Sequence, residues 1–171
     1  LIFGLYYVNY KPWQVSRDLI RAITPQTTPE QSLVVFQKIF QQNTFGSGEA
    51  REQLVSKTIN ILNNQQIPND LKNQFVKLTD EQIKIHLANF SQDTRSYQFF
   101  GSFMLAIGNN KQGLDYLLKA QALSPKKQQI LFELIGAYVR AQDAPRALAL
   151  AKEVYDLDPT YTEARKIYAL V

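Results

Sequence analysis

The 171-residue chain has no cysteine, which removes disulfide frameworks, thiolate metal sites and cysteine nucleophiles from consideration. Its single histidine, His86, has no second His or Cys with which to build a zinc site, and no orienting carboxylate at contact spacing for a general base. Glycine and proline are few, at seven each, so neither a collagen-like nor a disordered chain fits. Only 20% of residues are charged, and the net charge of +4 is spread along the chain. That is a mild bias toward anionic surfaces and not a nucleic-acid footprint. Strand signals are nearly absent. An apolar fraction of 45% is enough to bury a core without staples.

The second half of the chain repeats itself every 34 residues: Tyr97 recurs as Leu131, Phe100 as Leu134, Gly113 as Ala147, Leu123 as Leu157 and Pro125 as Pro159. A period of that length, with apolar residues at helical spacing in both copies, marks stacked helical hairpins. Small residues (Gly101, Gly113, Ala120, Ala147) fall where the two helices of a hairpin cross, and a larger side chain there would push the backbones apart. Such hairpins cannot cover their own apolar faces, so neighbours stack and leave an extended surface free for a partner.

The remaining helices follow from capping and periodicity. Trp13 to Thr24 places Trp13, Ile20 and Ile23 on one face. Thr28-Pro29-Glu30-Gln31 is a capping-box start, and the helix after it carries Leu33, Phe36 and Phe40 before stopping near Asn43-Thr-Phe-Gly46. Ser47-Gly-Glu-Ala-Arg51 opens the next helix, with Ala50, Leu54, Ile61 and Leu62 inward. From Pro68 a long stretch carries Leu71, Phe75, Leu78, Ile83, Leu87 and Phe90, with an expected break near Thr79-Asp80. In the last hairpin Asp143 caps a helix carrying Ala147, Leu148, Ala151 and Val154, and Thr160-Tyr-Thr-Glu163 reads as a capping box for a final helix. At the other end, Leu1 to Val8 is apolar but far below the roughly 20 helical residues that span a bilayer. Tyr6, Tyr7, Tyr10 and Trp13 beside Lys11 have the composition of a membrane-interface belt. The expectation is that residues 1–12 end a transmembrane helix; the alternative is an apolar segment docked on the first helix pair.

Gly101, Gly108, Ala120, Leu123 and Pro125 match a tetratricopeptide repeat, and Tyr138, Asp143, Ala147, Leu157 and Pro159 retain it in a divergent second copy with Ile135 at a small-residue position. The chain therefore resembles a tetratricopeptide domain. This implies an all-α fold of hairpins stacked in a right-handed superhelix, with degenerate hairpins over residues 13–92 and repeats plus a terminal helix over 93–171. The order of an aromatic span end, Asn9-Tyr-Lys-Pro12, Asn43-Thr-Phe-Gly46, Glu49-Ala-Arg51 and then repeats containing Ser124-Pro-Lys-Lys-Gln-Gln-Ile130 also resembles the soluble C-terminal region of bacterial O-antigen ligase/polymerase-like membrane proteins. That resemblance implies a domain on the extracytoplasmic side of the bacterial cytoplasmic membrane, tethered by a preceding segment, with a protein, a peptide or a lipid-linked glycan as partner. The glycan-transfer residues of such proteins lie in their membrane part, and no position here matches them. A free-standing cytosolic adaptor that clamps peptide tails is the alternative.

No catalytic, cofactor-binding or metal-binding residue emerges. Gly46-Ser-Gly48 lacks the flanking pattern of a phosphate loop. Glu49, Arg51 and Glu52 read as solvated ion pairs on a surface helix. Lys126-Lys127 falls short of a polybasic cluster. What remains is the concave face of the first helices of the hairpins: Arg95, Gln98, Ser102 and Leu105, then Gln129, Phe132, Gly136 and Arg140, then Glu163 and Lys166. An apolar ring between Gln and Arg side chains suits an extended peptide or a glycan face.

Overall fold

A computed structural model describes Gly4, residues 6–42, Thr44 and residues 46–171. The expected span end at residues 1–12 and the helix stop at Asn43-Thr-Phe-Gly46 lie partly outside the described residues. Every regular element among those described is helical. A π-helical segment (Tyr6–Tyr10) runs into α1 (Lys11–Ile23), followed by α2 (Pro29–Gln42), α3 (Ser47–Asn63), α4 (Asn69–Asn89), α5 (Thr94–Ala106), α6 (Asn110–Leu123), α7 (Gln128–Arg140), α8 (Ala144–Leu157) and α9 (Thr162–Leu170). None of these helices is long and apolar enough to cross a membrane. The chain divides into two compact units, Leu1–Asn89 and Phe90–Val171.

In the first unit α1 packs on α2 and α3 on α4. Thr28 and Gln31 form the reciprocal capping box, each backbone N–H donating to the other side chain at 3.3 Å. The core takes Val15, Leu19 and Ala22 from α1, Leu33, Phe36 and Ile39 from α2, Ala50, Leu54 and Ile61 from α3, and Leu71, Phe75 and Leu78 from α4. Trp13, Ile20 and Ile23 do share a face of α1, but it is the exposed one. The π-helical segment buries none of its residues.

The break expected near Thr79-Asp80 does not occur, and α4 is continuous over 21 residues. Thr79 is tolerated mid-helix because its buried hydroxyl donates to Phe75 O at 2.8 Å and lies 2.8 Å from the Thr58 hydroxyl of α3. Phe90 falls past the end of α4 and is exposed instead of continuing the inward stripe.

The second unit shows why its small residues stand where they do. A β-carbon on Gly101 would lie 2.9 Å from Leu117 Cγ and 3.2 Å from Gly113 O. One on Gly113 would lie 2.7 Å from Leu105 Cγ and 2.9 Å from Leu105 N, so α5 and α6 touch backbone to side chain. Ala120 and Ala147 are fully buried. The hairpin turns repeat as well. Gly108 N donates to Leu105 O at 3.1 Å and Asn109 N to Met104 O at 2.9 Å; 34 residues on, Gln142 N donates to Val139 O at 3.0 Å and Asp143 N to Tyr138 O at 2.9 Å. Both are the left-handed helix stop in which the two residues after the cap reach back to the last turn. Asn109 and Asp143 then cap the next helix, accepting from Gln112 N at 3.4 Å and Arg146 N at 3.2 Å.

Two details of this unit depart from expectation. Leu148 is exposed on α8, whose inward positions are Ala147, Leu150, Ala151 and Val154. The Thr160–Glu163 capping box does not form. The Thr160 hydroxyl donates to Asp158 at 2.6 Å, α9 begins after Tyr161 without a side-chain cap, and Glu163 pairs with Lys166.

Candidate functional site

Two clefts open between α5 and α7, positioned by the α5–α6 and α7–α8 hairpins. The first, 420 Å³, has Ser102, Leu105 and Ala106 on the α5 side and Gln129, Phe132, Glu133, Gly136 and Arg140 on the α7 side. The second, 430 Å³, lies toward the start of α5 and is lined by Arg95, Gln98, Phe99, Ser102, Lys127, Gln129 and Glu133. Ser102, Gln129 and Glu133 line both.

Glu133 is the structural centre of this face. Gln98 Nε2 donates to it at 2.7 Å, and the Ser102 hydroxyl donates to its other oxygen. Gln98 is only 6% exposed, so the amide is committed to this bridge more than to solvent. Phe132, beside Glu133, packs partly on the core and meets Tyr161 with ring centroids 5.9 Å apart. It is both a core ring and a cleft wall. Gly136 lines the first cleft, and a β-carbon there would meet nothing within 4 Å, so its backbone stands open to the cleft. Arg140 ends the first cleft, and Arg95 and Lys127 flank the second. Three cations therefore border a face whose one carboxylate already accepts two hydrogen bonds.

Of the residues expected on a concave surface, Arg95, Gln98, Ser102, Gln129, Phe132 and Arg140 are brought together. Glu163 and Lys166 pair with one another at 2.9 Å on α9 and line neither cleft. Leu105 lines the first cleft but is also buried in the core. Glu133, Phe99 and Lys127 were not among the expected site residues. Lys127 lines the second cleft, although the Lys126-Lys127 pair falls short of a polybasic cluster in sequence.

No family model matches the chain, and no curated protein does. Solved structures do. A MamA fragment running from position 41 to the end, from Desulfovibrio magneticus RS-1, superposes with a TM-score of 0.62 at 19% identity, covering 92% of this chain and 81% of that one. A second MamA structure gives 0.57 at 15% identity, covering 91% and 79%. PilF of Pseudomonas aeruginosa gives 0.58 at 16% identity, covering 94% and 68%. These are tetratricopeptide proteins. The fold is theirs. At such identities the likeness extends to the fold alone.

The other places considered for chemistry do not assemble. Among the described residues no group of three or more His, Asp and Glu side chains converges as a metal site would need. Glu49 accepts from Gln53 Nε2 at 2.8 Å, while the Arg51 guanidinium lies 5.7 Å from the Phe40 ring centroid. Burial there pulls the Arg51 pKa below its ordinary value. Gly46 precedes α3 as its cap residue and makes no side-chain cap bond.

Proposed function

We propose that the α5–α7 face binds an extended, acidic segment of a partner protein and that the chain performs no bond chemistry itself. The observation that carries this is the charge and shape of the face: Arg95, Lys127 and Arg140 around two connected clefts, with the Phe132 ring and the open Gly136 position between them. An extended peptide can lay its backbone over Gly136, place an apolar side chain on Phe132 and direct carboxylates to the cations. Binding of fluorescent acidic, neutral and basic peptides of equal length tests the reading. The acidic peptide should bind most tightly, with affinity falling as salt is raised. Equal binding of all three, or none above the neutral control, would refute it.

The likeness to O-antigen ligase/polymerase-like proteins gives this role a setting. In that setting the chain is the extracytoplasmic domain of a protein of the bacterial cytoplasmic membrane, tethered by a preceding segment. It holds a partner protein, or the lipid-linked glycan acceptor, near the membrane enzyme and raises its effective concentration there. A soluble adaptor would use the same clefts on free partners. The complete reading frame separates the two, because several hydrophobic spans ahead of Leu1 are expected for the first and an upstream soluble domain excludes it.

A further inference from the structure

The first unit carries a feature that the clefts do not use. Tyr6, Tyr10, Trp13, Arg17 and Ile20 are spaced four, three, four and three residues apart, which is one face of a helix. The rings form a continuous row: Tyr6 and Tyr10 have centroids 5.6 Å apart, Tyr10 and Trp13 5.9 Å, and the Arg17 guanidinium lies 5.0 Å over Trp13. Beside the row, the Lys11 ammonium sits 4.9 Å from the Tyr7 ring centroid. Trp13 is 54% and Ile20 65% exposed, while the opposite face of α1 fills the core with Val15, Leu19 and Ala22. The row is therefore not required to hold α1 in place.

Along the row itself the ionic side chains are cations; the nearest acids are Asp18, 3.7 Å from Arg17, and Glu30 of α2, which shares a cleft with Arg21. The single acid of α1, Asp18, is buried and held by Lys38 at 2.8 Å, which leaves Arg17 and Arg21 as the exposed ionic side chains of that helix. Rows of Tyr and Trp with flanking cations suit the headgroup region of a bilayer, where the ring bodies leave water and their polar edges keep it. Pairing two copies along the row would set like charges against each other, and an acidic protein surface would not need so many exposed rings.

We propose that the π-helical segment and α1 form a membrane-contact face that lies on an anionic lipid surface. Tyr6, Tyr10, Trp13 and Ile20 enter the headgroup region, and Lys11, Arg17 and Arg21 meet lipid phosphates. This is independent of the α5–α7 clefts and does not require a membrane span.

Trp13 is the sole tryptophan, so the intrinsic fluorescence of the 171-residue chain reports from the row itself. With phosphatidylcholine vesicles containing phosphatidylglycerol, its emission should move to shorter wavelength and the chain should float with the vesicles. Both effects should weaken with added salt and with phosphatidylcholine alone. The Arg17→Gln/Arg21→Gln variant should partition about fivefold less per cation removed, and Tyr10→Ser should also lose binding. Lys57→Gln on α3 should leave it unchanged. All of these side chains except the half-buried Lys57 are exposed, and circular dichroism checks that each variant folds. Unchanged Trp13 emission on adding anionic vesicles would overturn the proposal, as would vesicle binding that survives the arginine and Tyr10 changes. So would a concentration-dependent dimer that shields Trp13 without lipid.

Discussion

Gln98 on α5 and Glu133 on α7 are 35 residues apart in sequence, yet their side chains meet in a 2.7 Å hydrogen bond across the face that carries both clefts. With Ser102 donating to the same carboxylate, the bridge fixes the spacing of the two helices that line both clefts. Removing the acceptor leaves the largely buried Gln98 amide without its partner, which typically costs about 1–3 kcal/mol. Glu133→Ala should therefore lower stability by that amount in urea unfolding. Glu133→Gln should cost less, because one acceptor oxygen is kept. The same Gln variant should bind acidic peptides more tightly than the parent, since it removes the only carboxylate on the face. Weaker binding would mean that Glu133 contacts the partner directly.

Two glycines in neighbouring helices should respond in opposite ways to an added methyl group. Gly113→Ala drives a β-carbon into Leu105 and should destabilise by about 1–3 kcal/mol, and Ala120→Leu should overpack the same crossing to a similar extent. Gly136→Ala meets open space in mid-helix and should stabilise by about 0.5–1 kcal/mol while weakening peptide binding. Thermal melts and peptide titrations of the three variants check this. A stabilised Gly136→Ala that binds as before would show that the partner does not approach α7 there.

These glycines also show what sequence can reveal. Gly101, Gly113 and Gly108 encode backbone approach and chain reversal locally, so the repeat and its hairpin crossings could be read directly from spacing. The capping box at Thr28 and Gln31 and the cap at Asp143 were legible for the same reason, because each satisfies amides within three residues. Glu133 was not legible, because its partners lie on another helix and nothing near it in sequence signals them. Thr79 misled for a related reason: a threonine weakens a helix locally, and only Thr58 on the facing helix explains its place. Periodicity found a common face for Trp13 and Ile20 but could not tell the core side from the outer one, since both sides of α1 carry apolar residues.

Arg140 and Phe132 should separate binding from stability. Arg140 is exposed at the end of its cleft, so Arg140→Ala should leave stability within about 0.5 kcal/mol and lower acidic-peptide affinity. Phe132 packs on the core and on Tyr161, so Phe132→Ala should lower both. Peptide titrations paired with urea unfolding measure the two effects. Unchanged affinity in Arg140→Ala would remove that cation from the binding face.

Acidification should act through Asp143. Hydrogen bonds from the Arg146 side chain, then from its backbone, hold the Asp143 carboxyl below the ordinary aspartate value. A carboxyl whose pKa is depressed by folding contributes stability that is present above its unfolded value, about 3.9, and is lost as pH falls through the lower folded value. Asn is as good a helix cap as Asp but carries no charge. Asp143→Asn should therefore unfold with a shallower loss of stability below about pH 4 than the parent. Urea midpoints measured across the acid range would show this, and parallel curves would mean that the Arg146 contact is absent in solution.

The 34-residue repeat places Gln142 where the preceding hairpin has Gly108, and both residues adopt positive φ, 57° and 84°. Glycine reaches that conformation without a β-carbon clash, whereas an L side chain is strained there by roughly 1–2 kcal/mol. Gln142 is exposed, so no core packing depends on its side chain. The two hydrogen bonds that close the turn are made by backbone N–H groups of Gln142 and Asp143, which glycine would preserve. Gln142→Gly should therefore raise stability despite the entropy that glycine adds to the unfolded chain, with a net gain of about 0.5–1 kcal/mol. The reverse change, Gly108→Gln, should destabilise. If thermal denaturation shows Gln142→Gly to be neutral and Gly108→Gln harmless, the two turns do not share the left-handed geometry that makes them equivalent members of one repeat.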